Sequence, residues 1–201
     1  MNLLKSGRPL GASTSSASTP TTTAGSFSPR PFHSSAISSS PPAKTAPFAF
    51  TSNLSEGIGS FTLGEEKSGR GWLDYVQGAT SILRGEGFAL GGFDVLVQSD
   101  VPLGSGLSSS AALSISLFRA LRIAFNLPLD DRRIAVLAQR VENQFVGAQV
   151  GIMDPMACSL ATPGTALFLD TCSLTFESLP LPTAADLVVM VATPGRVGCE
   201  G

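Results

Sequence analysis

The chain has 201 residues, 43% hydrophobic and 14% charged, with 13 Lys and Arg against 15 Asp and Glu for a formal net charge of −2. A globular part of about 150 residues buries roughly 70% of its unfolded surface, so a folded body with a real core is expected. The near-neutral balance argues against a nucleic-acid or membrane-surface partner, both of which ask for a clustered basic excess, and no apolar run approaches the roughly 20 residues of a membrane helix.

Residues 1–46 are dominated by Ser, Thr, Pro and Ala and contain no Asp or Glu. They show no period able to bury a face, which predicts a disordered tail ahead of a folded body spanning 47–201. Lys5, Arg8, Arg30 and Lys44 in this acid-free background are compatible with an organellar transit peptide as well as with a bland tail. No apolar stretch follows the first basic residues as a secretory signal requires, so a cytoplasmic location is expected.

Short extended segments are predicted at Phe48 to Thr51 and Ser60 to Leu63. Trp72, Tyr75, Val76, Ala79, Ile82 and Leu83 then recur at helical spacing, and Gly85, Glu86 and Gly87 stop that helix. Phe93, Val95 and Val97 alternate as a strand. Pro102 to Ser110 reads as a loop feeding a buried helix through Ala111, Ala112, Leu113, Ile115, Leu117 and Leu121. Asp130 or Asp131 caps the next helix, with Ile134, Leu137, Ala138, Val141 and Phe145 facing inward. Strands are expected at Thr165 to Leu169, Leu174 to Leu179 and Leu187 to Ala192. The class is α+β, without the regular alternation of a doubly wound fold. Cys158, Cys172 and Cys199 are an odd count without metal-ligand spacing, which suits a reducing compartment.

The run Val101-Pro102-Leu103-Gly104-Ser105-Gly106-Leu107-Ser108-Ser109-Ser110-Ala111-Ala112 joins a strand to a helix start through a flexible loop. Gly104 and Gly106 allow close backbone approach, the serines add hydroxyls, and the first helical N–H groups point ahead of the helix. Such a site suits phosphate, and the helix field favours an anion by about 0.3–1 kcal/mol when exposed. The same residues also suit a simple turn and N-cap. No Lys follows the glycines, which excludes the P-loop pattern.

This run resembles the second conserved motif of the GHMP kinases. Val141 to Asp154, ending Gly151-Ile152-Met153-Asp154, is similar to the corresponding segment of the galactokinases within that family. Trp72, Tyr75, Gly78, Gly92-Phe93-Asp94, Ser99 to Pro102 and Asp170 to Leu174 follow the same pattern, so the resemblance covers about residues 70–192. It implies a partial GHMP-kinase N-terminal domain of the ribosomal protein S5 domain 2-like type, a mixed sheet with helices packed on it.

What the resemblance implies for chemistry is ATP-dependent phosphorylation of a sugar's anomeric hydroxyl, D-galactose first, with Mg²⁺. Pro102, Gly104, Ser105, Gly106, Leu107, Ser108, Ser109, Ser110 and Ala111 would hold the nucleotide phosphates, with Ser109 and Glu142 on the metal. Mg²⁺ takes oxygen ligands and usually keeps waters beside one or two protein groups, so a serine and a glutamate suffice. Asp154, with Gly151 beside it, would contact the sugar, and Asp154 would accept or hold the reacting hydroxyl. Read without the resemblance, Glu142 suits a solvated helix face, and Asp154 followed by Pro155 suits an N-cap with proline at the first helical position.

The departures are equally specific. The motif Gly-Arg-x-Asn-x-Ile-Gly-Glu-His-Thr-Asp-Tyr that opens galactokinases is not found, and His33, the sole histidine, lies in the predicted tail. A second glycine-rich motif and a C-terminal domain are likewise not found, so a truncated body is expected, with self-association through apolar surface that the missing parts would cover. An L-arabinokinase-like activity, a non-catalytic sugar or nucleotide sensor, and an inert remnant stay open beside the leading reading.

Overall fold

The apolar stripe of Val76, Ala79 and Leu83 is realised as helix α1, Leu73–Gly85, with all three side chains fully buried. The computed structural model describes residues 59–99 and 106–181, with side chains except at 96, 98 and 99. It also describes the backbone of strands β1 (Thr22–Gly25), β2 (His33–Ser39) and β3 (Thr45–Pro47). Strand β4 is Ser60–Thr62 and β5 is Phe93–Ser99, flanking α1. Helix α2 is Ser109–Ala124, α3 is Asp131–Arg140, a π-helical turn continues α3 over Val141–Val146, and α4 is Met153–Leu160. Strands β6 (Thr165–Asp170) and β7 (Thr175–Pro180) form a closing hairpin. The strands expected at 48–51 and 187–192, together with Pro102, Gly104, Ser105 and Cys199, lie outside the described residues.

The structure differs from the sequence reading over residues 1–46. Stretches assigned to a disordered tail pair as strands: β1 with β6, β2 with β5, and β3, which crosses the boundary set at residue 46, with β4. The physical reason is that a ladder is made by backbone groups. Composition shows that a Ser/Thr-rich segment has no core of its own, but not that it can complete the edge of someone else's sheet. The α+β class stands, but instead of one mixed sheet the described strands form three small sheets, and every pairing among them is antiparallel.

The core lies between the helices and the strands, with Phe93, Phe118, Leu83, Leu117, Leu121, Ile134, Leu137, Met156, Leu167 and Leu169 all essentially inaccessible. Phe93 and Phe125 meet edge to face with centroids 5.9 Å apart, a favoured aromatic geometry. Helix α2 is central and packs on α1, α3 and α4. Polar bonds lock this arrangement. The carboxylate of Asp130, as expected of a cap, accepts the Arg133 N–H at 2.6 Å. The Arg122 guanidinium donates to Asp131 at 2.9 Å, and the Ser159 hydroxyl donates to the Asp131 carbonyl at 2.6 Å, so α2, α3 and α4 hold one register. Glu86, at the end of α1, accepts from Arg140 and Arg133, and those bonds hold its carboxyl below the usual range.

Candidate functional site

Three chain segments far apart in sequence bring their side chains to the N-terminal end of α2. Ser108 precedes the helix at φ 53° and ψ 40°, in the left-handed region that favours glycine, and makes no side-chain cap. Its hydroxyl instead donates to Asp154 Oδ2 at 2.6 Å. Gly106, at φ 71°, supports the preceding bend. The first turn of α2 therefore keeps its N–H groups free of a side-chain cap, as an anion site requires.

Asp154 is not the cap that Asp-Pro suggests. Helix α4 has Ile152 as its N-cap and starts at Met153, so Asp154 already lies in the first turn. Pro155 follows within that turn, where its missing N–H costs nothing. The helix begins early enough to leave the carboxylate directed at Ser108. Gly151 is exposed, and a Cβ there would meet open space.

Glu142 is 2% exposed, which removes the solvated-face reading. It sits in the π-helical turn, a wide turn often found at functional sites. The turn is shaped from both sides. Gly78 of α1 lets the two helices approach so closely that a Cβ there would lie 2.7 Å from Val141 Cγ1 and 3.1 Å from Phe145 Cβ. On the other side Asn143 exchanges two bonds with Val150, donating through Nδ2 at 3.2 Å and accepting through Oδ1 at 2.8 Å, while Gly147 at φ 85° ends the turn.

The hydroxyl that reaches Glu142 is that of Ser110, which also bonds the Tyr75 phenol. Ser109, expected on the metal, precedes Ser110 in the first turn of α2. Burial pushes the Glu142 carboxyl up, Ser110 pulls it back, and the Asp154 charge adds a further rise. Burial, then the Glu142 charge, raises the Tyr75 phenol. Cys158, one turn beyond Asp154, is pushed up to about 12, first by burial and then by the charges of Asp154 and Glu142.

Ala111 is buried, so only its backbone is available to a ligand, and Leu107 is half-buried. The sequence reading missed Tyr75 and Cys158 as members of the site. Tyr75 was legible as part of the apolar stripe of α1 and of the family resemblance but not as a site residue, and Cys158 only by its spacing of four from Asp154. Among the described residues, none of the ion pairs involves Glu142 or Asp154, and no group of three or more His, Cys, Asp or Glu could cage a metal. No helix among them is long and apolar enough to cross a membrane.

Residues 74–162, which carry α1, the serine turn, Glu142 and Asp154, match the GHMP kinases N terminal domain. The galactokinase of Thermococcus kodakarensis is 42% identical over 136 residues, covering 68% of this chain and 38% of the relative. That of Roseiflexus sp. is 41% identical over 124 residues, covering 62% of this chain and 32% of the relative. Among solved structures, Lactococcus lactis galactokinase complexed with galactose superposes with a TM-score of 0.63 at 32% identity, over 69% of this chain and 37% of that one. The chain thus spans little more than a third of the length of the proteins it matches. Residues 74–162 are similar to the GHMP kinases N terminal domain, and the similarity to galactokinases extends over about two thirds of the chain.

Proposed function

We propose that this site serves ATP-dependent phosphorylation of a sugar's anomeric hydroxyl, with D-galactose as the sugar. One observation carries the reading: Asp154 accepts an alcohol O–H at 2.6 Å immediately ahead of the N-terminal end of α2. Phosphoryl transfer asks mainly for positioning and charge stabilisation, with an acceptor near the attacking hydroxyl. The Asp154 carboxylate is that acceptor, and the first-turn N–H groups of α2 with Ser109 and Ser110 face the phosphates.

The residues present suit Mg²⁺ delivered with the nucleotide. Glu142 is a buried carboxylate that feels a second carboxylate and has no ion-pair partner among the described residues, and Ser110 adds a hydroxyl oxygen. One or two protein oxygens plus phosphate oxygens are the usual Mg²⁺ set at phosphoryl-transfer sites. Glu142 and Ser110, with Ser109 as the neighbouring alternative, would hold the ion, which supplies charge neutralisation on the phosphates. The chain's own contribution is to keep Glu142 dry and aimed, through the π-helical turn and the close approach at Gly78.

The same reading includes self-association. Its support is that Phe168 and Leu179 share one face of the β6–β7 hairpin and are 44% and 40% exposed.

The decisive experiment is a coupled ADP-release assay with ATP, Mg²⁺, and D-galactose or L-arabinose. Turnover on D-galactose that is lost in Asp154→Asn, with folding retained, is the expected result. Absence of turnover together with galactose-induced thermal stabilisation would replace the kinase reading with a sugar sensor. Absence of both would overturn it.

A further inference from the structure

Ser108 is the odd member of its serine run. It belongs to the loop assigned to phosphate, yet its hydroxyl is given to Asp154, 46 residues away, rather than to the N–H groups of its own helix. It is also held at φ 53°, one of three positive-φ residues other than glycine among those described. A serine kept in that conformation with its hydroxyl on another helix is over-determined by its surroundings, and such positions cluster where ligands bind. The contact has the chemistry of the event the site is proposed to perform, an alcohol O–H donated to Asp154.

We propose that Ser108 is a positioning residue that stands in for the substrate alcohol on Asp154. When a sugar hydroxyl takes Oδ2, the Ser108 hydroxyl is displaced and becomes available at the N-terminal end of α2, on the phosphate side. The inference rests on the sugar-kinase reading above and extends it: the sugar and nucleotide sites are coupled through one hydroxyl, since a sugar on Asp154 frees Ser108 for the nucleotide and a nucleotide that engages Ser108 frees Asp154 for the sugar.

The test uses the full chain. In Ser108→Ala the competing hydroxyl is gone while Asp154 remains, so galactose titrated calorimetrically without nucleotide binds about tenfold tighter than to wild type, the scale of one hydrogen bond to a charged group. Wild type binds galactose several-fold tighter once a non-hydrolysable ATP analogue and Mg²⁺ are present, whereas in Ser108→Ala that enhancement disappears. Ser108→Gly, which relieves the left-handed backbone, gives the same pattern and covers the case in which the alanine variant folds poorly. A serine that merely contacts the sugar or shapes the loop predicts weaker or unchanged binding in both variants, and either result overturns the proposal.

A stability cycle with Ser108→Ala, Asp154→Ala and the double variant supplies a readout that needs no ligand. The effects on the folding equilibrium constant fall short of multiplicative by about tenfold if the bond exists, and multiplicative effects refute it. Failure of the kinase reading has its own signature, a coupled stability cycle with no galactose binding to wild type or variants. That outcome overturns the placeholder together with the function, whereas binding to wild type without tightening in the variants overturns the placeholder alone.

Discussion

Replacing Gly78 by alanine tests whether the close approach of α1 to the π-helical turn is what aims Glu142. The new Cβ would lie 2.7 Å from Val141 Cγ1, 3.1 Å from Phe145 Cβ and 3.2 Å from Phe145 Cγ. Non-bonded carbons rest at about 3.5–4.0 Å, so the first contact must open by about 1 Å. Val141 is β-branched and fully buried, so its methyl has no free rotamer into which to retreat. Overpacking costs about 1–3 kcal/mol, and a backbone-sized approach of this kind belongs at the upper end. Alanine's better helix propensity returns about 1 kcal/mol. The net expectation is a loss of about 2 kcal/mol, read by urea unfolding through the fluorescence of Trp72, the single tryptophan. Because the strain falls beside Glu142, Mg²⁺-dependent nucleotide binding weakens as well. A Gly78→Ala protein as stable as wild type, or stabilised by the propensity gain, would refute the reasoning.

Two further outcomes follow from the electrostatics of the site. The Glu142 carboxyl is raised, by burial first, so the folded state resists its ionisation. Its charged form therefore opposes folding above the raised value, and the opposition fades as pH falls toward the ordinary glutamate value. Glu142→Gln is expected to be more stable than wild type at pH 7, by about 1.4 kcal/mol for each pKa unit of the rise, with a flatter pH dependence in denaturation, while Mg²⁺-nucleotide binding is lost; a less stable variant at pH 7 contradicts this. Cys158, pushed up to about 12, is thiolate in only about one molecule in ten thousand at pH 8. Peptide mapping after brief iodoacetamide treatment of the folded protein should show exposed Cys172 alkylated well before Cys158, and equal rates would contradict the burial of the Cys158 thiol beside two carboxylates.

The elements legible in the sequence are those whose signal is local. Val76, Ala79 and Leu83 recur at the helical period and are buried together, Phe93, Val95 and Val97 alternate and face the core, and Asp130 caps α3. Helix α4 was visible only through its Asp-Pro start, and that signal misplaced its beginning, because Ile152 carries no capping side chain to mark it. The π-helical turn has no sequence signature at all, since it answers to the packing of Gly78 from another helix.

The sequence by itself determined the class of fold, the run of small residues ahead of α2 and the two acids, because periodicity and motif spacing are properties of neighbouring residues. Only the tertiary structure decided that Ser110 meets Glu142, that Ser108 gives its hydroxyl to Asp154, and that the Ser/Thr-rich stretch completes the sheets. Those choices depend on helix rotation, backbone pairing and burial between segments dozens of residues apart, and one-dimensional spacing carries no record of them.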